Sequence, residues 1–156
     1  MTKHLLALSV CAVAMLTTVT LAQSQTAKPD VPKPAAAQSK VLAMLQGTWI
    51  MTSSNGQDMT GGPEVAITIT DTKYVQVSNG SIVERGSFTI DETKKPMTMD
   101  LSIVEGDDAG KKQLGVFEVT ATTMRGKLNN PGESVRPTDF EIVGEPFFVF
   151  TAKKKT

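Results

Sequence analysis

The stretch Met97-Thr98-Met99-Asp100-Leu101-Ser102-Ile103 puts every apolar side chain on one parity and every polar one on the other. A period of two belongs to a strand with one buried and one solvated face, because successive side chains leave a strand on opposite sides. A helix, with its period of 3.6, would scatter the same residues around its circumference. The alternation recurs along the chain. Val65, Ile67 and Ile69 alternate with Ala66, Thr68 and Thr70, and Ile82, Phe88 and Ile90 share a parity against Arg85, Ser87 and Thr89. Eight strands are predicted: Thr48–Ser53, Val65–Thr70, Lys73–Ser78, Ile82–Ile90, Met97–Val104, Gln113–Val119, Thr123–Leu128 and Phe147–Ala152.

Short connections join most of these segments. Asn79-Gly80 is a two-residue hairpin signal, since both residues tolerate positive φ. Asp71-Thr72 is almost as tight, and Pro96 closes a polar turn that begins at Asp91. Consecutive hairpin-linked strands with few helices predict an all-β, eight-stranded antiparallel up-and-down barrel, closed so that no edge is exposed. A two-layer sandwich is the alternative, and the regular next-neighbour turns favour the barrel. Ahead of the strands, Ala36–Gln46 predicts one short helix, with Val41, Leu42 and Leu45 on one face, stopped by Gly47.

Residues 1–22 have the layout of a secretory signal peptide: a basic start, an uncharged apolar run, and small residues before a cut after Ala22. Export to the periplasm or the extracellular space follows, with no membrane span left after cleavage. Cys11 lies in the middle of the apolar run, away from a lipid-attachment position, and reads as a small hydrophobe. Residues 23–39, rich in Pro and Ala, read as a flexible segment, and residues 40–153 as the barrel domain. Cleavage would remove His4 and Cys11, the one histidine and the one cysteine. The mature chain would then have no disulfide. It could build neither a Ser-His-Asp or Cys-His site nor an ordinary zinc or copper site. Sixteen Lys and Arg balance sixteen Asp and Glu, so no net field points to nucleic acid.

The segment Leu45-Gln46-Gly47-Thr48-Trp49, a short helix followed by Gly-x-Trp at the start of the first strand, resembles the N-terminal signature of lipocalins. "LQGTW", "VERGSFTIDETKKPMTMDLSIVEGDDAGKKQLGVFEV" and "RPTDF" together resemble an uncharacterised bacterial lipocalin-like domain family abundant in planctomycetes, over almost all of residues 42–153. The resemblance implies a barrel whose helix plugs one end, with Gly47 allowing close approach and Trp49 filling the closed floor. It also implies a basic residue covering that Trp, Lys153 or Lys154 at the end of the last strand, of which Lys153 is taken. It brings no established activity and no catalytic residues. The segment Thr122–Asn130, "TTMRGKLNN", departs from the more apolar strand expected there.

In a meander the loops Ser54–Glu64, Asn79-Gly80, Glu105–Lys112 and Asn129–Pro146 share the end opposite the helix. Three of them are long, and long loops on a rigid scaffold are where function concentrates. Met59 is the one large apolar group of the first, which reads as a lid or as a solvated Gly-rich loop. In the last, Arg136 is expected to meet an acidic ligand group or to pair locally with Asp139 or Glu133, and Phe140 to pack back on the barrel. "EGDDAGKK" has no EF-hand spacing and reads as a polar hairpin end. Asp100 faces out by parity. Glu84 has inward parity: buried, it would need a partner or a raised pKa, whereas a bulge at Gly86, the preferred reading, would turn it outward.

Phe88, Met97, Met99 and Met124 are the expected interior wall, which serves equally as a ligand pocket or as a filled core. Ligand-binding candidates are therefore Met59, Phe88, Met97, Met99, Met124, Arg136 and Phe140. Two functions follow. One is a binding module for a small apolar or amphipathic ligand held at the mouth. The other is a protein-interaction or inhibitor domain with a filled barrel, whose partner would be an envelope protein. An enzyme is not expected, since only carboxylate chemistry remains and Glu84 has no evident second acid. No cofactor, metal or nucleic-acid partner is expected.

Overall fold

A computed structural model describes residues 39–156. The signal peptide and most of the Pro/Ala-rich segment lie outside the described residues. One short helix, α1 (Lys40–Leu45), precedes nine strands: β1 (Gly47–Ser54), β2 (Gln57–Asp58), β3 (Val65–Thr70), β4 (Lys73–Ser78), β5 (Ser81–Asp91), β6 (Met97–Glu105), β7 (Lys112–Val119), β8 (Thr123–Asn129) and β9 (Phe147–Lys154). From β3 to β9 each strand pairs antiparallel with the next, β1 pairs with β3, and β1 also pairs with β9. The sheet therefore closes on itself as an eight-stranded barrel. The ninth strand, the two-residue β2, folds back on the end of β1. All eight expected strands are present. Asn79 and Gly80 both take positive φ, 49° and 75°, as a tight hairpin turn requires.

The described helix begins at Lys40 because Ser39 caps it, its side chain accepting from the Leu42 amide at 3.0 Å; residues 36–38 of the expected helix lie outside the described residues. Gly47 then takes φ of +104°, a left-handed conformation that turns the chain from helix to strand and explains the glycine. Trp49 is fully buried, and its indole N–H donates to the Leu45 carbonyl at 2.7 Å. The indole thus ties the helix to the strand while filling the floor. Gln46 fastens the same end from outside: it donates to Leu42 and Asp71 carbonyls and accepts from the Asp71 amide.

The basic cover on Trp49 is Lys154, which corrects the choice of Lys153. The Lys154 ammonium lies 5.1 Å from the Trp49 ring centre and donates to the Met44 carbonyl at 3.0 Å. Lys153 is exposed. Ala152 points into the core, so the side chain that shares its parity is Lys154.

Three interior glycines shape the barrel wall. Gly86 pairs with Tyr74, Gly126 with Phe150 and Gly115 with Leu128 across neighbouring strands. A Cβ on Gly86 would sit 2.6 Å from Tyr74 Cε1, and one on Gly126 would sit 2.6 Å from Phe150 Cζ. On Gly115 it would run into Leu128. In each pair the large side chain lies over the bare backbone opposite. This accounts for the departure at Thr122–Asn130: Met124 faces in, Gly126 makes room for Phe150, and Arg125, Lys127 and Asn129 face out.

Candidate functional site

The helix-plugged floor leaves the opposite end as the mouth, where the turns after β1, β4, β6 and β8 all meet. Met59 curls back over this rim. Its amide donates to the Thr52 carbonyl at 3.0 Å and its side chain packs, half-buried, against the core. Asn55 pins the same loop to β9, exchanging hydrogen bonds with Val149 through both amide and side chain. The first loop is therefore anchored at its start, with Met59 packed over the rim.

Below Met59 the interior holds little free space. A cavity of about 50 Å³ is lined mainly by Tyr74, Phe88, Met99, Leu101, Met124 and Phe150. Phe88, Met99 and Met124 thus sit together as expected. Met97 packs against the core without lining this space. A pocket for a whole drug-sized ligand spans roughly 300–1,000 Å³, so this one admits only a small apolar group.

The last two candidates lie elsewhere. Residues 130–146 leave the mouth and run as a strap over the outer wall of β6, β7 and β8. Arg136 pairs with neither Asp139 nor Glu133. Its guanidinium donates to Asp100 Oδ1 at 2.5 Å and to the carbonyls of Met99 and Gly115 at 3.3 and 2.8 Å. Asp100 faces out, as its parity predicts, and its partner comes from the strap. Phe140 lies under the Arg125 guanidinium at 4.2 Å, again on the outer wall.

Two outward residues of β8 complete the seat of the strap. Lys127, only 3% exposed, donates to Asp139 Oδ1 at 2.8 Å and lies 5.0 Å from the Phe147 ring centre. That bond, with a second from the Glu141 amide, holds the Asp139 carboxyl below its usual range. Asn129, fully buried, donates to the Glu133 and Val135 carbonyls and accepts from the Leu114 amide. Sequence reasoning missed both residues. The available signal was a lysine and an asparagine on the outward parity of a strand followed by a long Pro-containing loop.

Glu84 also departs from expectation. Irregularities occur between Gln76 and Val77 on β4 and between Arg85 and Gly86 on β5, so a bulge is present. It nevertheless leaves Glu84 half-buried, accepting from the Tyr74 hydroxyl at 2.7 Å. Burial pushes the carboxyl up, the Tyr74 bond opposes that, and the nearby charge of Asp108 adds to it. Burial and the same carboxyl push the Tyr74 phenol up strongly. Among the described residues no three His, Cys, Asp or Glu side chains converge as a metal site would require. No described helix is long and apolar enough to cross a membrane.

The exposed large apolar side chains of the described residues are Ile82, Val83, Val104, Val135, Ile142 and Val143. All lie toward the mouth: at the start of β5, at the end of β6, and in the strap segment beside the rim. Ile142 sits against Gly56 of the first loop, close enough that a Cβ on Gly56 would be 3.0 Å from its Cδ1. Comparison of the chain with protein families, curated proteins and solved structures finds no match.

Proposed function

We propose that this chain is an exported, non-enzymatic interaction domain of lipocalin-like build, in which a filled barrel presents its mouth to a protein of the cell envelope. The observation that carries the reading is the grouping of exposed apolar residues at one end. Single exposed aliphatics are ordinary, whereas several gathered around a rim form a surface suited to a partner. The filled interior supports the same reading, since a packed barrel holds its loops rigidly. Chemical cross-linking in the native envelope tests it. The double variant Ile142→Glu/Val143→Glu should lose the cross-linked partner, whereas Thr70→Glu at the floor should keep it. Equal cross-linking by both variants would overturn the proposal.

A second reading, a small apolar or amphipathic ligand, draws on the apolar-lined cavity and its methionines, which adapt to varied shapes. It requires Met59 to lift and only the apolar end of the ligand to enter. Met99→Glu would place a charge in that space and should abolish any such uptake.

A further inference from the structure

We propose that the outer wall carries a second site, a cleft between the strap and the β5–β6 turn that binds a small organic anion, a carboxylate or phosphate ester with a compact apolar body. The cleft encloses about 550 Å³, within the range of small-molecule sites and far larger than the barrel interior. Its floor is the outward parity of three strands: Thr89 and Asp91 from β5, Thr98 and Asp100 from β6, and Val116 from β7. One wall is Lys94-Lys95-Pro96 and the other is Arg136-Pro137-Thr138.

The wall on the strap side is fixed. Arg136 is held by Asp100 and two carbonyls, and Pro137 is buried. The cleft is thus present without a ligand, so little ordering remains to oppose binding.

The charges select the ligand. Three cations and two carboxylates line the space. Arg136 neutralises Asp100. Asp91 Oδ1 already accepts from the Thr93 amide and hydroxyl. Among the described residues neither Lys94 nor Lys95 forms an ion pair within 4.0 Å. Behind the turn, Glu92 and Glu118 line an adjoining hollow of about 290 Å³ that shares Lys94, Lys95 and Pro96 with the cleft, yet neither acid closes on a lysine within 4.0 Å. Counted over the cleft's own lining, three cations against two carboxylates, one positive charge remains. Two ammonium groups outside any ion pair suit an oxyanion, the threonine hydroxyls on the floor suit its polar substituents, and Val116, Pro96 and Pro137 suit its apolar body.

The test is a titration followed by amide NMR on the ¹⁵N-labelled protein, with phenyl phosphate, with benzoate and with uncharged benzyl alcohol. Saturable shifts at Thr89, Lys95, Thr98 and Thr138 are expected with an anion and not with the alcohol. If phenyl phosphate alone saturates, the natural ligand is a phosphate ester; if benzoate alone does, it is a carboxylate. Lys94→Gln/Lys95→Gln should weaken the binding anion by about tenfold or more, with the spectrum of the barrel unchanged. No saturation with either anion, equal response to the alcohol, or undiminished binding by the double variant would each overturn the proposal.

Discussion

At the scale of single residues, this barrel depends on where side chains are absent. Phe150 fits because Gly126 lies beneath it. Gly126→Ala forces a methyl into the ring and should lower stability by about 1–3 kcal/mol, the usual range for overpacking. Urea unfolding of Gly126→Ala alone and combined with Phe150→Leu checks this, since the second change should restore part of the loss. The two neighbouring lysines of β9 make a paired prediction. Lys154→Ala removes the contact with Trp49 and the bond to the Met44 carbonyl and should cost about 1 kcal/mol. Lys153→Ala should stay within about 0.5 kcal/mol of the parent, as an exposed surface change does.

Glu84 supplies a pH signature at the same scale. Its carboxyl is raised above the ordinary value of 4.5, so the folded protein binds that proton more tightly than the unfolded chain does. The favourable contribution is therefore present below the ordinary value and is lost as pH rises through the raised one. Glu84→Gln keeps an acceptor for the Tyr74 hydroxyl without the buried charge. It should be more stable than the parent at neutral pH, and the advantage should vanish as pH falls below about 4. Thermal unfolding across that range decides it, and an advantage independent of pH would contradict the assignment.

At the scale of elements, the strap is a separate layer laid on the barrel. Arg136 anchors its middle and Lys127 its later part, through Asp139. Asp139 is held below its ordinary value of 3.8, so this anchor is present above that pH and lost as pH falls through the lowered value. Protection of residues 131–146 from hydrogen exchange, taken relative to the intrinsic rate at each pH, should fall below pH 3.8, ahead of the barrel strands. Arg136→Met should release the segment at neutral pH and cost about 2 kcal/mol, because three acceptors lose their charged donor. The strands were readable because alternation is a local property of the chain. The strap was not, since Arg136 finds its carboxylate 36 residues away and no sequence pattern links the two. Glu84 was misjudged for a related reason. A bulge was expected, but the burial of Glu84 is set by Tyr74, on the neighbouring strand. Lys154 was within reach of parity counted from Phe148, Phe150 and Ala152.

At the scale of the whole molecule, one end is closed by α1, Trp49, Gln46 and Lys154, and the other gathers the loops and the exposed aliphatics. The candidate site was legible as an end of the barrel more than as a set of residues. Phe88, Met99 and Met124 meet inside, while Arg136 and Phe140 serve the outer wall. Whether the interior is filled separates the interaction domain from a ligand carrier. Native mass spectrometry of the protein purified from its own envelope, set against the same sample after denaturation, reads that directly. A filled barrel predicts the bare protein mass and no gain in thermal stability from a panel of fatty acids. A small molecule retained in the native spectrum and lost on denaturation would contradict it.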